Sequence, residues 1–101
     1  MKIVVNEEYG RFSVSEALYE ELGLRWDNHG NLDNETFGIN DDNDLAYRAN
    51  EKLISAIEKI GEDEASGDFA TLKIVEIPDG IEWYIDVYDG IETVHEQHRS
   101  W

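Results

Sequence analysis

Cysteine is absent from this chain, and Lys and Arg are scarce, numbering 8 against 24 Asp and Glu. Without thiols neither a disulfide framework nor a thiolate zinc site can form, which fits a reducing compartment. No stretch approaches the roughly 20 apolar residues that cross a bilayer, and the N-terminus lacks the apolar run of a signal peptide. A formal net charge of -16 argues against direct binding to nucleic acid or anionic lipid, because phosphate contacts need Lys and Arg. We therefore expect a cytoplasmic protein with no direct nucleic-acid or membrane partner.

The apolar residues that are present suffice for one hydrophobic core. They make up 41% of the 101 residues, and aromatic residues make up 11%, which is more than a disordered acidic tail carries. A chain of this length has room for a single domain, here residues 1–101. The acidic excess then has three explanations: a well-solvated surface, a surface that occupies a nucleic-acid-binding partner, or a halophile's acidic coat, which the many Asn and Ile residues disfavour.

The N-terminal part of the chain predicts a strand followed by two helices. Residues 2–5 are rich in β-branched side chains, which favours a first strand. Ser13 begins a capping-box sequence, so the next helix is predicted to start there and to end at Gly23. Leu and Ile then repeat at helical spacing between Asn50, a plausible N-cap, and Gly61, which predicts a second helix.

The C-terminal third changes to a period of two, which indicates strands. Residues 72–77 are apolar on most of both faces, which predicts a central strand. Residues 81–87 form the next strand, and the two-residue hairpin signal Asp89-Gly90 leads into a third, residues 91–97. The side chains predicted to face the core from the second of these strands are Trp83, Ile85 and Val87.

Together these elements predict an α+β fold in the order β-α-α-β-β-β. The sheet is expected to be mostly antiparallel, with a C-terminal three-stranded meander, the first strand added to it and two helices on one face. Residues 27–44 form a long loop with six acids and no Lys or Arg, and Phe37 and Ile39 are expected to anchor it. Residues 62–68 are interpreted as a flexible acidic connector.

One set of residues follows a recognisable pattern. It runs from Leu72-Lys73-Ile74-Val75-Glu76-Ile77-Pro78-Asp79 through Trp83, Tyr88-Asp89-Gly90, Glu92 and Glu96 to His98-Arg99-Ser100-Trp101. With Val4-Val5-Asn6, Tyr9-Gly10 and Arg48, it resembles a family of small proteins encoded by bacteriophages and prophages. Arg11 departs from the family pattern, which more often has a second glycine there. The resemblance implies a phage-encoded accessory protein and no particular reaction.

Seven residues remain after the fold is explained, and they are the candidate ligand-binding residues: Tyr9, Arg48, Tyr88, Glu92, His98, Arg99 and Trp101. If the arginines meet beside the aromatic rings, a nucleotide can stack on a ring while its phosphate meets guanidinium. The competing interpretation is that each Arg pairs with one of the many carboxylates. Trp101 must dock back onto the domain or be offered to a partner, which includes a second copy of the chain.

Signatures of catalysis or of metal binding are weak. His95 and His98 lack the HExxH spacing and fall on opposite sides of a strand. The acidic run that begins at Asn40 has Leu45 where a calcium loop needs glycine. No nucleophile elbow and no phosphate-binding glycine loop occurs. We therefore favour a non-enzymatic protein over an enzyme, and we expect no metal site and no cofactor.

These observations favour a phage accessory protein that acts by binding. In the leading hypothesis its acidic surface mimics the charge of nucleic acid and engages a host protein, for instance one of the host's defence proteins. The alternative is a sponge for a nucleotide or another small anionic ligand, formed by the C-terminal hairpin and the scarce arginines. A metal-dependent enzyme is a distant third, since it needs two or three of these residues to converge: Asp86, Glu92, His95 and His98.

Overall fold

Four strands and three helices follow one another along residues 1–96, the part of the chain that the structure, a computed structural model, describes. The strands are β1 (Lys2–Asn6), β2 (Leu72–Glu76), β3 (Trp83–Tyr88) and β4 (Ile91–Glu96). The helices are α1 (Glu16–Leu22), α2 (Glu51–Ile60) and α3 (Glu62–Ala65), with short 3-10 turns at Glu35–Phe37 and Ala46–Ala49. The predicted single small α+β domain is confirmed, and α3 is an addition to the predicted order.

The strands pair differently from the predicted meander. β1 pairs antiparallel with β2, and β3 pairs antiparallel with β4, which gives two two-stranded sheets. β2 is therefore not a neighbour of β3. The physical reason lies at the far edge of β2, where Ser66 Oγ accepts from the backbone N–H of Leu72 and Glu62 Oε2 accepts from that of Ile74. Side chains from α3 and the residue after it occupy the edge that β3 would need.

The hydrophobic core lies between the β1–β2 sheet and the first two helices. Side chains that are buried almost completely come from all four elements: Val4, Leu18, Leu53, Ile57 and Leu72. Removing such side chains from water is the main favourable contribution to folding, at about 1.5–3 kcal/mol for each. The core is therefore built from elements within the chain's first 76 residues rather than from the C-terminal hairpin.

The predicted inward alternation of Trp83, Ile85 and Val87 is present only in part, and none of the three packs against this core. The alternation holds at Trp83 and Ile85, which are half-buried between the exposed Tyr84 and Asp86. Val87 is 53% exposed. The difference arises because the hairpin lies against β1 through β4, which leaves β3 as the outer strand.

Most of the predicted helix boundaries are confirmed, with one correction. Asn50 caps the start of α2 and Gly61 ends it, while Gly23, in the left-handed conformation at φ 73°, ends α1. The prediction of Ser13 as the N-cap of α1 was wrong, because the cap is Ser15, whose Oγ accepts from a backbone N–H of the first turn. Ser13 belongs to an extended segment whose carbonyl accepts a backbone hydrogen bond from the loop before β2.

The two acidic connections contain more structure than their composition indicates. In residues 27–44, a 3-10 turn forms, and both Phe37 and Ile39 are partly buried against the core, as expected. In residues 62–68, α3 forms and buries Ala65 completely. No helix in the described part of the chain has the length and apolar character needed to cross a membrane.

Candidate functional site

A buried ion pair joins the 3-10 turn Ala46–Ala49 to β4. Arg48 and Glu92 are both candidate residues, and the structure brings them together, with Nη1 2.6 Å from Oε1 and Nη2 2.9 Å from Oε2. Their side chains are only 3% and 5% exposed. A two-point contact of this kind is the most directional way for a guanidinium and a carboxylate to pair.

Aromatic and backbone groups complete the surroundings of the pair. The Arg48 guanidinium lies over the ring of Phe12, 3.5 Å from its centroid. Nη1 also donates to the backbone carbonyl of Val4 at 3.3 Å, and Glu92 Oε1 accepts from the backbone N–H of Asn6 at 2.8 Å. Among the described residues, Arg48 Nε has no hydrogen-bond partner. The pair thus ties β1, β4 and the 3-10 turn to one another.

The geometry makes this pair a structural feature rather than an open ligand site. An anionic ligand would have to displace Glu92 from Arg48, and the freed carboxylate would remain buried without a cation, at a cost of about 3–5 kcal/mol. The interpretation as an intramolecular ion pair accounts for Arg48. The expectation that Arg48 and Glu92 contact a ligand has no support in their placement.

Asn6, which belongs to the sequence pattern but was not a candidate site residue, holds the same region together. It is fully buried at the end of β1. Its Nδ2 donates to the carbonyls of Glu8 and Gly90, each at 2.9 Å, and its Oδ1 accepts from the N–H groups of Glu8 at 3.2 Å and Thr71 at 2.9 Å. The available signal was an amide at the end of a β-branched run, a position where Asn is uncommon.

Two glycines allow the loop after β1 to contact the turn between β3 and β4. Gly90 has φ +85°, and a Cβ on it would lie 1.7 Å from the carbonyl oxygen of Gly10. A Cβ on Gly10, where φ is +148°, would lie 2.5 Å from the carbonyl oxygen of Phe69. Three segments of backbone therefore meet at this point with no room for a side chain between them.

Three exposed aromatic residues surround this contact. Tyr9 precedes Gly10, Phe69 lies against Gly10, and Tyr88 precedes the Asp89-Gly90 turn. Tyr9, Phe69 and Tyr88 are 72%, 73% and 75% exposed, and we call these three residues the aromatic end. Tyr9 and Tyr88 were predicted candidates, whereas Phe69 carried no pattern in the sequence that distinguished it from a core residue.

The aromatic end is surrounded by carboxylates. Five exposed acidic residues lie within two positions of its members in the sequence: Glu7, Glu8, Asp68, Asp86 and Asp89. The Nζ of Lys73 lies 3.6 Å from a carboxylate oxygen of Glu7, and an exposed pair of this kind adds little stability. This end of the molecule therefore combines large apolar rings with a negative field.

A cleft of about 770 Å³ opens beside Phe69. Trp26 forms part of its wall, and Arg11 lines it while donating to Asn31 Oδ1 at 2.8 Å. Four of the seven Lys and Arg side chains of residues 1–96 pair with a carboxylate, whereas Arg11, Arg25 and Lys52 have no carboxylate partner within that range. Three further ionisable side chains line the cleft: Glu16, His29 and Asp68.

Asp27 holds the loop on one side of this cleft. Its carboxylate accepts from the backbone N–H groups of His29 at 2.8 Å, Gly30 at 2.6 Å and Asn31 at 3.2 Å. Burial opposes ionisation of Asp27, but these hydrogen bonds outweigh it and lower the pKa of the carboxyl. Burial, together with the charge of Asp27, raises the pKa of Tyr19 to about 12. At neutral pH the loop is therefore held by an ionised carboxylate and a neutral phenol.

The remaining candidates give no assembled catalytic or metal site. His98, Arg99 and Trp101 lie outside the described residues, as do the predictions about their contacts. His95 Nε2 lies 2.9 Å from Thr93 Oγ1, and its ring stacks on Tyr84. Within residues 1–96, no three His, Asp or Glu side chains are arranged to hold a metal ion.

Comparisons with protein-family models, with curated proteins and with solved structures found no match for this chain. The resemblance to phage proteins is therefore carried by the sequence pattern alone.

Proposed function

We propose that this chain is a non-enzymatic, phage-encoded accessory protein that binds a basic surface of a host protein through the aromatic end. The observation that carries the proposal is the exposure of Tyr9, Phe69 and Tyr88 on a domain of net charge -16. The phage origin and the host partner rest on the resemblance of the sequence pattern. The binding surface rests on the geometry.

Large exposed rings are the residues that contribute most to a protein interface. An aromatic side chain offers a large apolar area at little cost in conformational entropy, and tyrosine is enriched among the residues that dominate binding energy. Tyr9, Phe69 and Tyr88 leave that area in water, which gives the isolated domain no hydrophobic stabilisation. A partner that covers all three gains this energy on binding.

The surrounding carboxylates determine which partners fit. Rim charges of one sign accelerate encounter with the opposite sign and disfavour like-charged partners. A basic groove that normally binds phosphates is complementary to this surface, so the protein is suited to compete with nucleic acid for a host factor, including a defence factor. Binding of this kind weakens with ionic strength, because exposed charges are screened beyond about 8 Å at physiological salt.

The test is affinity capture from host lysate at low and high salt, followed by mass spectrometry and by titration of the purified partner. We expect a basic partner whose affinity falls steeply as salt rises. The triple variant Tyr9→Ser/Phe69→Ser/Tyr88→Ser is expected to bind at least about 100-fold more weakly, since hot-spot truncations cost about 2 kcal/mol or more each.

A matched charge control separates the aromatic end from the overall charge. Asp86→Asn/Asp89→Asn removes two carboxylates beside the aromatic end, and Asp42→Asn/Glu51→Gln removes two exposed carboxylates elsewhere. The first pair is expected to weaken binding more than the second. Recovery of a neutral partner, insensitivity to salt, or equal binding by the triple variant contradicts the proposal.

A second candidate function is supported by the cleft beside Phe69. Arg11, His29 and Trp26 line this cleft. Within the described residues Arg11 has no carboxylate partner and bonds to Asn31 instead, and the ring of Trp26 is available for stacking. A small anionic ligand such as a nucleotide is therefore the alternative. A thermal-shift series with mono-, di- and cyclic nucleotides tests it, with Arg11→Gln expected to abolish the shift and Arg25→Gln, an exposed arginine outside the cleft, expected to preserve it.

A further inference from the structure

Side chains close the far edge of β2. Backbone N–H groups there are taken up by Ser66 Oγ, 2.9 Å from the nitrogen of Leu72, and by Glu62 Oε2, 2.7 Å from the nitrogen of Ile74. An added strand would need the same N–H groups. Occupied edges of this kind are a known protection against pairing with another chain.

The free edge of β1 is closed as well. The carbonyl of Val4 accepts from Arg48, and the N–H of Asn6 donates to Glu92. The buried ion pair thus replaces a neighbouring strand at this edge. β4 lies beside β1 through Glu92 and through the carbonyl of Gly90, which accepts from the side chain of Asn6.

The outer edge of β3 is different. Asp89 and Gly90 form a two-residue turn with φ +50° and +85°, and Tyr88 lies opposite Ile91. In a hairpin with such a turn, the residue pair next to the turn is hydrogen-bonded, and hydrogen-bonded and non-hydrogen-bonded pairs then alternate along the strands. The residues of the non-hydrogen-bonded pairs point their backbone groups away from the partner strand. The residues that point away from β4 are Trp83, Ile85 and Val87. Within residues 1–96, no side chain and no backbone group outside the β3–β4 ladder forms a hydrogen bond with their N–H or C=O groups.

We propose that the outer edge of β3 accepts an extended, basic segment of the partner protein as an added strand. The inference rests on the proposed function and specifies how the partner is held. In this mode of recognition, backbone hydrogen bonds supply affinity and alternate side chains supply specificity. Lys or Arg side chains of the segment lie beside Asp86, and its apolar side chains lie beside Ile85 and Val87.

Charge decides against a second copy of the chain as the occupant. The hairpin formed by β3 and β4 contains no Lys or Arg, and Asp86 is exposed on β3. Two such edges side by side would bring carboxylates together, and like charges opposite one another on neighbouring strands are destabilising. A nucleic acid offers no backbone ladder for the edge. A basic polypeptide satisfies both the open backbone groups and the charge.

Amide hydrogen exchange, measured by NMR on the full chain, tests this inference. The probe is a synthetic nine-residue peptide of alternating Lys and Val, and the control peptide alternates Glu and Val. At saturating Lys-Val peptide, exchange at Trp83, Ile85 and Val87 is expected to slow about tenfold or more. The amides of Tyr84 and Asp86 already bond to β4, so their exchange is expected to change little.

Two substitutions at one position separate the backbone from the side chain. Val87→Pro removes an outward N–H without removing a β3–β4 hydrogen bond, which an edge strand tolerates. Val87→Ala shortens the side chain and keeps the N–H. We expect the affinity for the Lys-Val peptide to fall about tenfold with Pro and about twofold with Ala. Circular dichroism verifies that each variant is folded. If Val87→Pro does not fold, the exchange pattern of the unsubstituted chain with the Lys-Val peptide tests the inference on its own.

Several outcomes overturn the inference. Equal affinity of the two Val87 variants, or no slowing at the outward amides, shows that the edge is not used. Slow exchange without peptide shows that the edge is already covered, by a second copy if it grows with protein concentration and by the chain itself if it does not. Peptide-induced shifts confined to the aromatic end overturn the added strand while leaving the proposed function standing. Capture of no basic partner from lysate overturns the proposed function instead.

Discussion

The buried ion pair between Arg48 and Glu92 gives the sharpest prediction about stability. Arg48→Met leaves the Glu92 carboxylate, 5% exposed, with the backbone N–H of Asn6 as its remaining described donor. Glu92→Leu leaves a guanidinium that is 3% exposed, facing one backbone carbonyl and an aromatic ring. Each single variant therefore buries an uncompensated charge.

The expected magnitudes follow from these contacts. Breaking a buried pair from one side costs about 3–5 kcal/mol, a large part of the roughly 5–15 kcal/mol that stabilises a domain. In the double variant Arg48→Met/Glu92→Leu no charge is left, and the main loss is the acceptor of the Asn6 N–H, at about 1–3 kcal/mol. The double variant is thus expected to be more stable than either single one, with a coupling energy of roughly 3 kcal/mol or more.

Urea denaturation of the four proteins, followed by far-ultraviolet circular dichroism, measures this cycle. The control is the exposed pair of Lys2 and Glu58, whose charged atoms lie 2.7 Å apart and whose coupling is expected to be at most about 1 kcal/mol. A cost below about 1 kcal/mol for both single variants at the buried pair, or additivity in the double variant, refutes the reasoning. Either result would mean that water reaches the pair.

Three further predictions concern local conformation and pH. Gly90→Ala is expected to cost at least about 1–2 kcal/mol more in unfolding free energy than Gly23→Ala, because both have positive φ but only Gly90 lies against another backbone; equal losses would contradict the close contact. Asn50→Ala removes the N-cap of α2 and is expected to cost about 1 kcal/mol, whereas Asn50→Asp should retain most of it. The lowered pKa of Asp27 means that its ionised form contributes stability that is fully present above the ordinary value of 3.8 and is lost as pH falls through the folded pKa. Asp27→Asn is therefore expected to lose less stability than the unsubstituted protein between pH 6 and pH 2.5 in urea titrations, and an identical loss would show that the charge is unimportant.

Local features of the chain were predictable because they depend on neighbours in the sequence. The caps and stops at Asn50, Gly61 and Gly23 need only a few adjacent residues. The Asp89-Gly90 turn likewise has the positive φ values that its residue types favour. Ser13 was mistaken for a cap because the capping pattern is satisfied equally well by an extended segment that finds its hydrogen bonds elsewhere, and those partners are distant in the sequence.

The candidate site shows the same division between local and distant information. Tyr9 and Tyr88 are exposed and neither belongs to an apolar pattern, and their selection as binding residues stays a prediction. Phe69 was missed because its exposure depends on where its turn, closed by the N–H of Ala70 donating to the carbonyl of Gly67, lies in the fold, against the backbone of the distant Gly10. Arg48 and Glu92 were both selected, but a sequence cannot distinguish a cation kept for a ligand from one that pairs inside the domain.

The sequence by itself determined the α+β fold class, the acidity, the first two helices and the C-terminal hairpin, since composition and short-range periodicity govern all four. The tertiary structure alone decided which strands pair, that Arg48 and Glu92 serve the fold, and that three aromatic rings share one exposed end. The physical reason is that a free backbone hydrogen-bonding group, or a buried charge, is paired by the group that the folded chain places beside it. The edge of β2 finds its partners in Ser66 and Glu62, and Arg48 finds its partner in Glu92. These partners either lie far away in the sequence or are one choice among many equivalent residues.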